Sequence, residues 1–270
     1  MRACLAAFRA RARSVLRYRA AAAAAVFCQA IFGFILVMIL ETWYRDGSGA
    51  PISLAQAASY TWLGQAFLAF QVWGPDPELR DLIRSGEVAR DLLRPTGLYG
   101  LWLARALAYK LVSVGLRFGA ILVLAGLVLP AIGLGSIGLE PPTSLGGFFC
   151  FLAMLPVAAL VSGTLTVGIS CFQFRQVSAA GASAIAAALS SFYSGLVIPV
   201  PLLAGPLRMA AEFLPFRALG DLPFRFWTGV LPPSALPAAL ASQAAWILAL
   251  GLGGAAFVRS RLSGLAVAGG

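Results

Sequence analysis

The chain has 270 residues, of which 60% are hydrophobic and 11% charged, with a mean hydropathy of +0.87. Soluble domains carry about 25% charged residues, so the composition excludes a water-soluble globule and predicts an all-α polytopic membrane protein. The sequence has no histidine, which removes the usual general base, proton shuttle and commonest metal ligand.

The net charge of +10 comes largely from arginines that flank apolar runs. That is a topological signal rather than the basic face of a nucleic-acid binder. Cys4, Cys28, Cys150 and Cys171 lack metal or redox spacing, and they read as small apolar packing residues.

Residues 1–19 carry six arginines, with Leu5, Phe8, Ala12, Val15 and Leu16 at helical spacing. The pattern predicts an amphipathic helix on the membrane surface. A first span follows over 20–40, near the ~20 residues that a bilayer requires. A short polar loop then leads to a second span over 54–73. Gln56, Gln65 and Gln71 in that span either line a path or hydrogen-bond a neighbouring helix.

Residues 75–95 form the long polar run of the chain and hold five of its ten acids. Charged side chains cost about 2.5–3.5 kcal/mol each at the centre of a membrane helix, so this run stands in water. Asp76 is a good N-cap, with Pro77 at the first helical position and Glu78 in the first turn. Leu79, Leu82 and Ile83 then share one face. Gly86 is a plausible stop. A second short helix from Glu87 places Val88, Leu92 and Leu93 together and ends before Pro95. The expected product is a capped helix–turn–helix knob with an apolar face that suits a groove on a partner.

Residues 98–112 read as interfacial and lead into a third span over 112–130. Arg117, in its first turns, is expected to snorkel to the headgroups. Spans four and five are predicted over 146–171 and 179–200. The pattern then breaks: half of the 16 prolines fall between Pro199 and Pro237. Residues 205–233 interleave Arg208, Glu212, Arg217, Asp221 and Arg225 with aromatic residues. Two short re-entrant helices at the outer interface fit this composition. A sixth span over 235–258 ends at Arg259 and Arg261.

With the N-terminus inside, fifteen of the twenty basic residues fall on the cytoplasmic side. This agrees with the positive-inside rule and places both termini in the cytoplasm. On this map no carboxylate lies deep in a span, so the usual machinery of ion coupling is not evident. The chain also lacks a GxxxxGK[ST] phosphate loop. Energy is therefore expected to enter from another subunit, and the port would be the cytoplasmic run.

The stretch SGEVARDLLRPTGLYGLW, residues 85–102, resembles the segment between the second and third spans of type-2 ABC transporter permeases, in particular the small bacterial six-span subgroup. Gly86, Glu87, Leu92, Leu93, Arg94 and Pro95 carry the likeness. FLPFRALGDLPFRFWTG, residues 213–229, is similar to the family's outer segment before the last span. Leu214, Pro215, Phe216, Pro223 and Gly229 carry that one.

The resemblance implies a half-transporter in the bacterial plasma membrane. Two permease chains, identical or not, would pair amid membrane lipids, and each would seat a separate ATP-binding-cassette ATPase. ATP and Mg would be bound by that partner, and this chain would hold no cofactor. The coupling residues implied are Leu79, Leu82, Ile83, Arg84, Gly86, Glu87, Asp91, Leu92, Arg94 and Pro95. The outer segment would contribute Glu212, Pro215, Phe216, Arg217, Asp221, Pro223 and Trp227. Family members export lipids, glycans or amphipathic drugs. Two alternatives stay open: an enzyme that uses the outer charges on a lipid-linked substrate, and a scaffold that tethers a soluble partner.

Overall fold

The computed structural model describes residues 2–45, 47, 49–85, 87, 97–172 and 179–265. Its elements are helical, with no strand among the described residues. Helix α1 (Arg2–Arg17) is amphipathic, and Tyr18 separates it from α2 (Arg19–Arg45). Helix α3 (Leu54–Phe67) begins at a capping box. Ser53 Oγ accepts from the Gln56 amide at 3.1 Å, and Gln56 Oε1 accepts from the Ser53 amide at 2.9 Å. Helix α4 (Pro77–Arg84) is the short polar helix.

Helix α5 (Leu98–Val123) continues through one π-helical turn at Leu124–Val128 to Ala131. The π turn shifts the backbone register and frees the Ala125 carbonyl, which accepts from the Leu139 amide at 2.8 Å. The sequence puts an interfacial stretch before a span starting at 112, whereas the helix is continuous from Leu98. No proline or glycine pair breaks it there. Helix α6 (Leu145–Cys171), capped by Ser144, carries Pro156 in its interior. The remaining helices are α7 (Ala179–Tyr193), α8 (Gly205–Phe213), α9 (Asp221–Trp227) and α10 (Leu236–Leu265).

Among the described residues four helical stretches are long and apolar enough to cross a membrane: 20–45, 98–131, 145–171 and 233–259. The second and fifth expected spans are occupied by α3 and α7, of 14 and 15 residues. A helix rises about 1.5 Å per residue, so each falls short of a 30 Å hydrocarbon core. α3 reaches further only through a 3-10 turn at Leu68–Phe70.

Helices α3 and α6 form the centre of the bundle. Every residue of α3 from Ala57 to Phe67 is buried, as expected for a helix packed on all sides. α6 touches α5, α7, α9 and α10. Phe67, Phe118, Phe151, Phe224 and Trp227 interlock as mostly edge-on rings, joining α3, α5, α6 and α9. Such ring pairs contribute roughly 0.5–1.5 kcal/mol each beyond buried area.

Packing rather than water exclusion drives helix association in lipid, and two glycines permit the closest approaches. A Cβ on Gly64 would meet the Leu196 carbonyl oxygen at 2.3 Å, and one on Gly147 would meet that of Phe226 at 2.5 Å. Phe27, Ile31, Phe32, Ile35, Met38 and Ile39 leave α2 with an exposed apolar face, as lipid contact requires.

Candidate functional site

Chemistry-bearing residues gather at two ends of the bundle. α6 starts beside Phe226 and finishes beside Leu79, so its 27 residues, about 40 Å of helix, separate α9 from α4.

At the first end, Asp76 caps α4. Its Oδ1 accepts from the Leu79 amide at 3.1 Å, and its own amide donates to Ser170 Oγ of α6 at 3.0 Å. Arg11 of α1 holds Glu78 at 2.6 Å, approaches Asp76 at 4.0 Å and stacks over the Tyr109 ring at 5.5 Å. Arg105 of α5 reaches Glu78 at 3.8 Å. α4 is thus clamped to α1, α5 and α6 by polar contacts.

Its apolar face completes the seat. Leu79 is 4% exposed and packs with Leu98, Trp102 and Ala106 of α5, Val167 and Cys171 of α6 and Val258 of α10. Leu82 and Ile83 are half-buried against the same cluster. The expectation is that Leu79, Leu82 and Ile83 present an apolar face to a partner's groove; Leu79 is instead covered by apolar neighbours of the same chain, and Leu82 and Ile83 stay partly exposed at the edge of that cluster. Asp81, Ser85 and Glu87 are turned outward, and the half-exposed Arg80 lies 3.3 Å from Asp81 and borders a cavity under the end of α3. An open groove of about 490 Å³ runs along α4 between Arg11, Glu78, Asp81 and Glu87. Gly86, Asp91, Leu92, Arg94 and Pro95, together with the second short helix, lie outside the described residues, as does the side chain of Arg84.

Lys110 is 4% exposed. Its ammonium donates to the Ala69 and Gln71 carbonyls at 3.3 and 3.4 Å. These are carbonyls at the C-terminal end of α3 and its 3-10 turn, the place where a cation is favoured. Composition marks Lys110 as interfacial; its capping of α3 is a tertiary contact.

At the second end, the charges of residues 205–233 turn inward. The Asp221 side chain is fully buried and Arg225 is 5% exposed. Arg225 Nε lies 2.8 Å from Asp221 Oδ1, and Arg217 Nη2 lies 3.5 Å from Oδ2. The Tyr60 hydroxyl of α3 donates to the same carboxylate and sits 3.0 Å from the Asp221 carbonyl. Glu212 joins the network through Arg225 at 3.4 Å and Arg208 at 3.3 Å, and its carbonyl accepts from Arg217 at 2.9 Å. Burial alone raises the Glu212 carboxyl. Arg225, together with Arg208 and Arg217, outweighs it and holds the group below its ordinary value near 4.5.

The sequence places Asp221 outside or at the outer edge of the bilayer. The structure instead hydrogen-bonds its amide to the Ser194 carbonyl at 2.8 Å, where α7 has just ended. Asp221 is therefore a carboxylate inside the bundle, flanked by two guanidinium groups. Most aromatic residues of this segment pack inside the bundle. Phe216, Phe224, Phe226 and Trp227 are buried, as are Pro215 and Pro223, and Phe213 is exposed. Trp227 Nε1 donates to the Glu140 carbonyl at 2.8 Å, and Gln56 Nε2 donates to that of Thr228 at 3.0 Å. Asp221 and Arg225 are thus withdrawn from solvent, while Arg208 and Glu212 stay exposed. Among the described residues no group of acids and cysteines is arranged to hold a metal ion. Tyr60 was missed by sequence reasoning, because its partner lies 161 residues away.

A helical bundle with four crossing helices, a clamped polar helix at one end and a buried ion network at the other defines a polytopic integral membrane protein. The family model described as ABC-2 family transporter protein matches residues 58–259, and the chain belongs to that family. No curated protein and no solved structure matches the chain.

Proposed function

We propose that the chain is the membrane-spanning subunit of an exporter, driven by a separate ATP-hydrolysing subunit that docks on the end bearing α4. One observation supports this most: a capped amphipathic helix seated by Leu79 on α5, α6 and α10 and held by Arg11 through Glu78. A helix fixed so rigidly passes any push on its polar face to three long helices at once. The docking surface would be that polar face, Asp81, Ser85 and Glu87, with the residues up to Pro95.

In this reading α3 and α7 are shortened crossings, giving six, and α8 and α9 form the re-entrant outer segment. Two such chains, identical or not, pair in a bacterial plasma membrane with both termini in the cytoplasm. The cargo is amphipathic, of lipid or glycan type, and ATP and Mg are held by the partner. The arginine asymmetry and the family support orientation and partnership.

The test is co-purification. Tagged protein drawn from its native membranes in mild detergent should bring an ATPase with it, and liposome reconstitution should raise that ATPase's turnover. The pair Asp81→Arg and Glu87→Arg should abolish both while the melting temperature is kept. An ATPase whose association is indifferent to these changes would remove α4 from the coupling role.

A further inference from the structure

One cation in the bundle has no assignment. Arg117 lies on α5 well inside the stretch that crosses the membrane, where an isolated charge is expensive. Among the described residues no carboxylate pairs with it and no hydrogen bond satisfies it. Arg117 and Tyr109, on one face of α5, form the shared wall of two cavities of opposite character.

The first is a crevice of about 240 Å³ where α1 and α2 meet α5. Val15, Tyr18, Ala21, Ala22 and Leu116 give it an apolar lining. Arg11 also borders it, and its buried Nε has no hydrogen-bond partner. The second is a cavity of about 310 Å³ under the end of α3. Arg80, Lys110, Gln71 and Thr166 line it, with Asp76 as its one acid. Arg117, Lys110 and Arg80 face Asp76 and, through Arg80, Asp81, and Lys110 is already held by two carbonyls, so the positive balance that suits an anion centres on Arg117, and the greasy slot next door suits a hydrocarbon chain. Together the two reach the size of small-molecule sites, about 300–1,000 Å³.

We propose that this composite site holds an anionic phospholipid from the leaflet that meets α1. Its phosphate sits on Arg117 with Lys110 and Arg80, and an acyl chain runs through the crevice between α1 and α2. A planar guanidinium meets phosphate oxygens in a two-pronged fashion, and the pair neutralises the charge that α5 otherwise carries alone. Arg117 also explains why the two cavities adjoin: its side chain stands where head and tail of such a molecule meet. The inference concerns a bound lipid and stands whether or not that lipid is the cargo.

The experiment uses the full chain, purified in an uncharged detergent. Retention of phosphatidylglycerol and of phosphatidylcholine with the same acyl chains is compared by native mass spectrometry and by thermal shift. Phosphatidylglycerol should bind at least about tenfold more tightly. Arg117→Gln should weaken it about tenfold, the expected loss for a charged hydrogen bond, and bring the two lipids level. Ala22→Phe, which fills the crevice and leaves the cations in place, should weaken both lipids and keep their ratio.

Inorganic phosphate at millimolar concentration should fail to displace phosphatidylglycerol. Equal binding of the two lipids overturns the proposal, as does an undiminished preference in Arg117→Gln. Displacement by inorganic phosphate together with insensitivity to Ala22→Phe would assign a free-phosphate site instead. Should Arg117→Gln not fold, the crevice variant and the phosphate competition still decide the matter.

Discussion

Asp221 shows how a single residue can be read wrongly from its neighbours in sequence. Flanked by Arg217 and Arg225 in a proline-rich stretch, it looks solvated. In the fold it is fully buried between both arginines and Tyr60. Removing one member of a buried ion pair leaves an uncompensated charge, at a cost of about 3–5 kcal/mol. Asp221→Ala should therefore lower stability by that amount, read as a large fall in melting temperature in detergent. Tyr60→Phe should cost less, about 1–3 kcal/mol, since Arg217 and Arg225 still hold the carboxylate.

Glu212 adds a pH dependence. Its carboxyl is depressed in the folded state, so it contributes stability above the unfolded value, which is lost as pH falls through the folded one. The arm of the network that reaches Arg225 should weaken below about pH 4.5. Glu212→Gln should flatten that part of an acid melting series.

Among the elements, α4 is the clearest case of local signals meeting a tertiary decision. Asp76, Pro77 and Glu78 specify where the helix starts, and the cap is present as expected. From the sequence alone its apolar face, Leu79, Leu82 and Ile83, is expected to turn toward a partner, although the same residues suit the bundle. Val167, Cys171 and Val258, from α6 and α10, settled it. Leu79→Asp should consequently unseat α4 and destabilise the chain by several kcal/mol, because a carboxylate would enter an apolar cluster. A protease-protection assay on residues 77–87 would register the release.

The contact of α3 with the segment after α7 rests on Gly64. Gly64→Val would drive a side chain into the Leu196 carbonyl at 2.3 Å from the Cβ position. Loss of folded protein on size-exclusion chromatography is the expected result.

For the whole molecule, four helices have the length and apolar character of crossings, and two central ones are shorter. The sidedness proposed above predicts that Ser85→Cys, in a background without the four native cysteines, reacts with an impermeant thiol reagent only from the cytoplasmic face. Labelling from the opposite face would invert the assembly and leave α4 with no access to nucleotide.

Hydropathy and the arginine pattern by themselves determined that this chain lives in a bilayer, where its apolar stretches fall and where the capped polar helix α4 begins. Those properties are local, because the cost of placing a charge or an open backbone in hydrocarbon is set residue by residue. The tertiary structure alone decided that α4 is seated inward, that Lys110 caps α3, that Asp221 is buried and that Arg117 divides two cavities. Each of these depends on contacts between residues far apart in the chain, and periodicity in one segment carries no information about which face of another will meet it.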